Sequence, residues 1–349
     1  MKAMKTLTGL HLSELEEALL PLHLDRWRAE ALLNWLYMRN ARSFDAMTDL
    51  SKPARTLLSS HFNVSSTKLL KKHPSPDGTV KLLIALNDGN AVETVLIPEE
   101  ARRTICFSTQ VGCPIRCVFC ASGMNGLKRN LSTDEIVEQV LHARALSDKP
   151  ISSLVVMGIG EPLLNYENLA RALEIFHAPW GLGIGYNRIT LSTVGILKRL
   201  DDLIDAGITP NLALSLHAPN DAIRKQVVPT LPHITIADMV RAGLAYREAT
   251  HKQVTFEYVM LSGVNDAPEH AEQLSKALRG SPLKVNLIPF NPVKELPYRE
   301  PQQQRLKLFV EILRKRKVPV TVRKRKGDEV SAACGQLRAS FSKTQADRR

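Results

Sequence analysis

From about Glu93 onward, short β-branched apolar runs alternate with longer stretches in which apolar residues recur at every third or fourth position. The runs at 103–110, 152–158, 188–194, 211–217, 253–261, 284–290 and 318–324 predict seven strands, each bounded by polar, Gly or Pro residues. The stretches at 132–146, 166–177, 197–206, 235–249, 268–278 and 302–315 predict the helices between them. Repeated β-α order with right-handed crossovers gives an α/β fold with a parallel sheet. Six or so units suit a partial (β/α)6 barrel whose active site lies at the C-terminal strand ends, with a doubly wound open sheet as the alternative. Ser132-Thr133-Asp134-Glu135 has the form of a capping box that opens the first helix. Residues 113–130 are thereby left as a long loop on the catalytic face.

The pattern before Glu93 is different. Amphipathic stretches at 12–20, 27–37 and 53–58 predict a small helical module over residues 1–65. Turn sequences at 73–78 and 87–90 then predict a β-hairpin extension over 66–98. The barrel core takes 99–331, and 332–349 form a C-terminal segment.

Composition narrows the class. A chain of 349 residues that is 44% hydrophobic and 23% charged can bury a large core, which excludes disordered, collagenous and disulfide-knot polypeptides. The opening residues carry no apolar run behind their lysines, and no stretch approaches the ~18 apolar residues of a membrane span. A cytoplasmic, monomeric protein with no membrane association is expected. The net charge of +12 is concentrated late in the chain, where residues 299–349 hold 15 Lys/Arg against five Asp/Glu. The basic tetrads Arg314-Lys315-Arg316-Lys317 and Arg323-Lys324-Arg325-Lys326 flank a short apolar run and point to a polyanionic partner, a nucleic acid first.

Five cysteines, three of them within eight residues, suit metal or catalytic thiols better than a disulfide framework in a reducing compartment. In Cys113-Pro114-Ile115-Arg116-Cys117-Val118-Phe119-Cys120, three thiols on a loop can bind three irons of a [4Fe–4S] cluster and leave the fourth iron open. A zinc site is the competing reading, because Cys106 lies seven residues upstream and supplies a fourth thiol on paper. On that reading the chain is a zinc-stabilised RNA-binding protein without catalysis.

The cysteine triad, with Phe119 before its last member, resembles the signature of radical S-adenosylmethionine (SAM) enzymes. The resemblance extends along the chain. Met47-Thr48-Asp49-Leu50-Ser51-Lys52, Cys106-Phe107-Ser108-Thr109-Gln110-Val111-Gly112-Cys113, Arg129-Asn130-Leu131-Ser132, Gly158-Ile159-Gly160-Glu161-Pro162, Leu191-Ser192-Thr193-Val194-Gly195, Ser215-Leu216-His217 and Ala333-Cys334-Gly335-Gln336-Leu337 occur in the order found in the RlmN family of adenine-C2 RNA methyltransferases.

That resemblance implies roles. Cys113, Cys117 and Cys120 hold the cluster, and its open iron chelates SAM. Gly160, Glu161, Ser192, Ser215, Leu216, His217 and Asn291 bind the cofactor. Cys334 carries the methyl group as a thioether, because adenine C2 is not nucleophilic and cannot attack a sulfonium methyl itself. Cys106 attacks the Cys334 sulfur and releases the methylated base with formation of a disulfide. Glu93 accepts the C2 proton. The implied substrates are 23S ribosomal RNA and tRNA, whose bases can be splayed into a pocket, and an electron donor restores the cluster and the disulfide. Arg26, Arg28, Arg39 and Arg42 of the helical module join the basic tetrads as expected contacts to the RNA backbone.

The nearest alternative within this chemistry is an adenine-C8 methyltransferase of ribosomal RNA that confers antibiotic resistance and shares the thiols. Two departures from the family pattern are visible. Ser331 stands where an acidic residue commonly precedes Ala-Ala-Cys, with Asp328 and Glu329 slightly earlier, and Ile196-Leu197-Lys198 lacks the proline common at that helix start.

Overall fold

The structure, a computed structural model, describes residues 4–323, 326–327 and 330–338. A parallel strand pair, β1 (Lys5–Thr6) and β2 (Phe62–Asn63), closes the N-terminal module around α1 (Leu12–Leu19), α2 (Arg26–Leu33) and α3 (Lys52–His61). The single helix expected at 27–37 is instead α2 followed by a π-turn, Asn34–Met38. This wide turn places Leu36 and Tyr37 in the core.

Strands β3 (Thr67–Pro74), β4 (Val80–Leu86) and β5 (Ala91–Pro98) form the expected extension. They are two hairpins sharing β4, and they continue without a break into the main sheet, where β5 lies antiparallel to β6 (Arg103–Cys106). The run expected as one strand over 103–110 breaks at residues 107–109. Its last part, β7 (Gln110–Gly112), pairs instead with β8 (Leu127–Asn130) and frames the cysteine loop.

From β6 the alternation holds. The elements are α4 (Thr133–Arg144), β9 (Ser153–Val156), α5 (Tyr166–His177), β10 (Ile189–Thr193), α6 (Lys198–Asp205), β11 (Asn211–Ser215), α7 (Asp221–Val227), α8 (Ile236–Thr250), β12 (Val254–Met260), α9 (Pro268–Ala277), β13 (Lys284–Pro289), α10 (Gln303–Lys315) and β14 (Val320–Val322). The parallel strands neighbour one another in chain order, β6-β9-β10-β11-β12-β13-β14, with no reversal, which is the order of a partial barrel and not of a doubly wound sheet. The Glu135 carboxylate reaches back to the Ser132 N–H at 3.0 Å, as the capping box at the head of α4 requires.

One hydrophobic core runs through both the module and the barrel. A specific polar tie is set into the seam between them. Glu138 of α4 is fully buried, and its carboxylate accepts from Thr8 Oγ1, Ser65 Oγ at 2.6 Å, Ser66 N at 2.9 Å and Thr67 N at 2.8 Å. An acceptor-only group surrounded by donors is the arrangement a buried carboxylate needs. Glu138→Gln brings two amide hydrogens to face those donors and is expected to lower stability by about 2–3 kcal/mol. The denaturation midpoint measures this, and an unchanged midpoint would remove Glu138 as the tie between module and barrel.

Candidate active site

The C-terminal ends of the barrel strands open into a cavity of about 910 Å³. Ten of the residues expected at the site line it: Cys113, Cys117, Cys120, Gly160, Glu161, Ser192, Ser215, His217, Asn291 and Cys334.

The cysteine loop is fixed from both sides. Val118 N–H donates to Val227 O at 3.1 Å, Thr230 Oγ1 donates to Ile115 O at 2.6 Å, and Arg116 takes a left-handed φ of 53° between the first two thiols. Burial pushes the Cys113 thiol up to about 12 and raises Cys117 and Cys120 as well. Cys120 adds to the rise at Cys113, and both add to it at Cys117, so a cationic iron centre is what would draw the three into the thiolate form.

Cys106 does not join them. As the last residue of β6 it packs with Val95, Ile159, Ala332 and Leu337, and it lines an adjoining cavity. Cys113, Cys117 and Cys120 line the first cavity without Cys106, and Cys106 lines the second without them, so the structure does not bring the four thiols of the zinc reading together.

Gly158 and Gly160 follow β9 at the cavity wall, where the packing of the chain itself leaves no room for a side chain. A Cβ on Gly158 would lie 2.5 Å from Phe107 O, and one on Gly160, whose φ is +115°, would lie 2.8 Å from Thr109 Oγ1 and from Gln110 Cβ. The glycines let the β9 end cross the 107–110 segment. Gln110 Oε1 then accepts from Glu161 N–H at 2.8 Å. The Glu161 carboxylate accepts from Thr193 Oγ1 at 2.7 Å, Val194 N at 2.9 Å and Leu163 N at 3.2 Å. Burial nevertheless pushes it up to about 7. A cationic partner would favour its charged form against that burial.

At the β11 end, Ser192 Oγ and Ser215 Oγ lie 3.3 Å apart. Leu216 is buried below the cavity, and its N–H and that of His217 both donate to Glu257 O. Those peptide hydrogens are committed within the protein, so the cavity meets the Ser215 and His217 side chains. His217 Nδ1 accepts from Val259 N–H at 3.1 Å, which places the ring proton on Nε2, and burial holds the group neutral by pulling its pKa to about 3. Its ring stands edge-on to Phe119 at 4.7 Å.

The segment 332–338 lies across the cavity mouth. Gly335 O accepts from Ala121 N at 2.8 Å, Leu337 O from Ser122 Oγ at 2.8 Å and Cys334 O from Asn291 Nδ2 at 2.9 Å. Cys334 thus sits in the wall shared by the cavity of the three thiols and the cavity of Cys106. The Cys106 thiol is pushed up to about 12 by burial and then by the charge of Cys334. Glu93 lines neither cavity. Its carboxylate is buried between Lys81 Nζ at 3.0 Å and Arg338 N–H at 2.7 Å, next to the same C-terminal segment.

Several site residues have no motif. Arg224 of α7 donates to Ser215 O, Leu216 O and Val194 O, and α7 itself was not expected. Glu257, bound by Asn286 Nδ2 at 2.8 Å, is a buried carboxylate in the middle of a strand, a signal that the 253–261 run already contained. Arg323 lines both cavities, where its Nη1 contacts Met157 Sδ.

Arg323 therefore turns inward and leaves the exposed basic tetrad that its sequence suggested. Lys324 and Arg325 lie outside the described residues, as do Asp328, Glu329 and the tail after Arg338. Ser331 takes a left-handed φ of 49°, and its carbonyl accepts from Lys81 Nζ at 3.4 Å. The missing proline leaves α6 to start at Lys198 behind Leu197.

Comparison with known proteins completes the picture. Residues 107–274 match the radical SAM superfamily, and residues 5–64 match the ribosomal RNA large subunit methyltransferase N-terminal domain. The chain is 46% identical to the "Probable dual-specificity RNA methyltransferase RlmN" of Rhodopirellula baltica over 92% of its own length and 87% of that protein's. It is 44% identical to the protein of the same name from Thermotoga maritima, over 98% and 100% of the two chains. A crystal structure of a radical SAM methyltransferase from Sphaerobacter thermophilus superposes with a TM-score of 0.93 at 42% identity, covering 96% of this chain and 100% of that one.

Proposed function

The chain belongs to the RlmN family of radical SAM RNA methyltransferases, and from that premise we propose that it methylates C2 of adenosine in two RNAs. These are 23S ribosomal RNA, in the peptidyl-transferase region, and tRNA, at the adenosine 3′ of the anticodon. The superfamily uses a 4Fe–4S cluster and SAM. In our reading Cys113, Cys117 and Cys120 hold the cluster and leave one iron for SAM. Bound there, the two supply radical chemistry and the methyl group.

The chain's own residues do the rest. Glu161 takes the cationic amino end of the cofactor, which restores the charge that burial disfavours. Ser192, Ser215, His217 and Asn291 orient it from the strand ends, and Leu216, buried behind Ser215 and His217, holds that strand end through its main chain. Cys334 accepts the methyl group as a thioether and presents it to the RNA base. Loss of a hydrogen atom from that methyl group, to the radical the cofactor would supply, lets its carbon bond to C2. The adduct gives up one electron and the C2 proton, and protein and RNA stay joined until the Cys106 thiol attacks the Cys334 sulfur and the released carbon takes up a proton. That attack forms a Cys106–Cys334 disulfide, frees the methylated adenosine, and leaves two electrons to be supplied by an external donor. Glu93 receives the C2 proton, and a shift of the segment that carries Cys334 and Arg338 would uncover its carboxylate. The same reading makes the protein a cytoplasmic monomer, and no helix among the described residues is long and apolar enough to cross a membrane.

The observation that carries this reading is the position of Cys334 between the three loop thiols on one side and Cys106 on the other. Anaerobically reconstituted protein should show iron–sulfide absorption that disappears in Cys113→Ala, and its RNA product should contain 2-methyladenosine. An 8-methyladenosine product would move the chain to the C8 reaction, and a colourless zinc protein would overturn the radical mechanism. Cys106→Ala should accumulate a covalent protein–RNA species visible by denaturing gel, because release, not joining, needs that thiol. Normal turnover of Cys106→Ala would remove it from the mechanism.

A further inference from the structure

The arginines expected on the RNA face of the module have separate fates. Arg26 pairs with Glu16 at 2.6 Å, Arg28 with Asp25 at 2.8 Å and Arg39 with Asp49 at 3.2 Å. Arg42 has no such partner. Its Nη1 and Nη2 are both buried and accepted by no protein atom, and the nearby Glu138 carboxylate is already occupied by the donors of Thr8, Ser65, Ser66 and Thr67. Glu138 acts on Arg42 only through its field.

Arg42 lines a cleft of about 1220 Å³ between the turn at Phe44–Ala46, helix α3 and the link at 62–65. Two more cations line it, Lys52 and Arg55, against one acidic residue, Asp45. Arg55 is held in place by an Nη1–H bond to Asp45 O at 2.9 Å, while its buried Nε has no acceptor. Three guanidinium nitrogens of residues that line this cleft are thus desolvated and without an acceptor. Stranding charged donors in this way is costly unless an acceptor of opposite charge arrives. The arginine fork fits a tetrahedral oxyanion bidentately, and the hydroxyl-bearing side chains of Ser43, Thr56 and Ser59 complete a polar wall.

We infer that the Arg42–Lys52–Arg55 cleft is a phosphate-binding site that holds a backbone phosphate of the RNA substrate. The assignment of RNA as the source of that phosphate rests on the RNA-methyltransferase reading. A phosphodiester seated in the cleft would draw the Arg42 fork and the Arg55 Nε–H toward its two non-bridging oxygens, and the exposed Lys52 adds charge beside it. The site carries no base readout, so it sets the register of the RNA on the module rather than the choice of base.

The test is equilibrium binding of an anticodon stem-loop RNA to the reconstituted protein across a salt titration. The double substitution Arg42→Gln/Arg55→Gln is expected to weaken binding about tenfold and to reduce the slope of log K against log salt by about 1–2, as loss of phosphate neutralisation requires. Lys52→Gln changes an exposed side chain without risk to folding and should lower the slope by about 0.7. Unchanged affinity and slope in a folded double variant, together with an unchanged Lys52→Gln, would overturn the site. A wild-type protein that fails to bind RNA would instead overturn the functional reading itself. Inorganic phosphate that binds wild type through Arg42, with RNA affinity unaltered in the variants, would mark a free-anion pocket and equally overturn the assignment to RNA.

Discussion

Cys334→Ala is expected to fold, load its cofactors and bind RNA, yet to form no methyladenosine, a loss of at least about 10³-fold in turnover. The substitution removes one sulfur from the wall between the two cavities and leaves the bonds that dock the segment untouched. Those bonds run through the main chain at Cys334 O, Gly335 O and Leu337 O, through the Arg338 N–H, and through Gln336 Nε2, which donates to Pro292 O at 2.9 Å. Alanine therefore keeps the architecture and loses only the chemistry. Mass spectrometry of nucleosides from treated RNA reads the loss. Peptide mapping of the wild-type protein after exposure to cofactor should find one methyl group on Cys334. A Cys334→Ala protein that still methylates RNA, or a wild type whose Cys334 is never methylated, would break the scheme at its centre.

Local pattern made some of this legible and left the rest dark, for reasons that lie in the distances involved. The seven parallel strands follow from an alternation that any window of the sequence displays, because burial on both faces demands continuous apolar runs, whereas their order, left between a partial barrel and a doubly wound sheet, is set by pairings between remote segments. The three loop thiols are legible because ligand spacing is itself local. Where the reading slipped, a contact between remote segments decided the outcome. The strand expected at 103–110 breaks after Cys106 because the β9 end must cross it, with Gly158 N–H donating to Phe107 O and Thr109 N–H to Ile159 O. Arg323 looked like one member of a basic tetrad, and its inward turn is set by β14, whose register places Arg323 N–H on Leu287 O. Arg42 looked like one of four equivalent surface arginines, and what separates it from the other three is its burial without an acceptor, within the field of Glu138 almost a hundred residues away in the chain. Arg224 had no signature at all, since its partners are carbonyls, which every residue has.

Arg224 is accordingly where the second large effect is expected. Its Nη1 donates to Ser215 O at 2.9 Å and Leu216 O at 2.6 Å, and its Nη2 donates to Val194 O at 2.5 Å, so a single guanidinium clamps the ends of β10 and β11. Burial pulls its pKa down to about 10 while Cys117 and Asp221 act the other way, and it remains charged at neutral pH. The same short helix, α7, presents Val227 O to Val118 in the cysteine loop, so the residues expected to hold cluster and cofactor share one support. Arg224→Met keeps most of the side-chain volume but strands three buried carbonyls, and it is expected to cost about 3–5 kcal/mol of stability. Arg224→Lys, which retains the charge without the fork, should fall between. Because Ser192, Ser215 and His217 stand on the strand ends that Arg224 clamps, affinity for SAM should drop at least about tenfold in the methionine variant, even in the fraction that remains folded. Denaturant midpoints separate the first effect from calorimetric SAM binding, which reads the second. A methionine variant with the wild-type midpoint and wild-type SAM affinity would show that the strand ends hold their geometry without the clamp. The burial of Arg224 would then be a packing accident and not the support of the site.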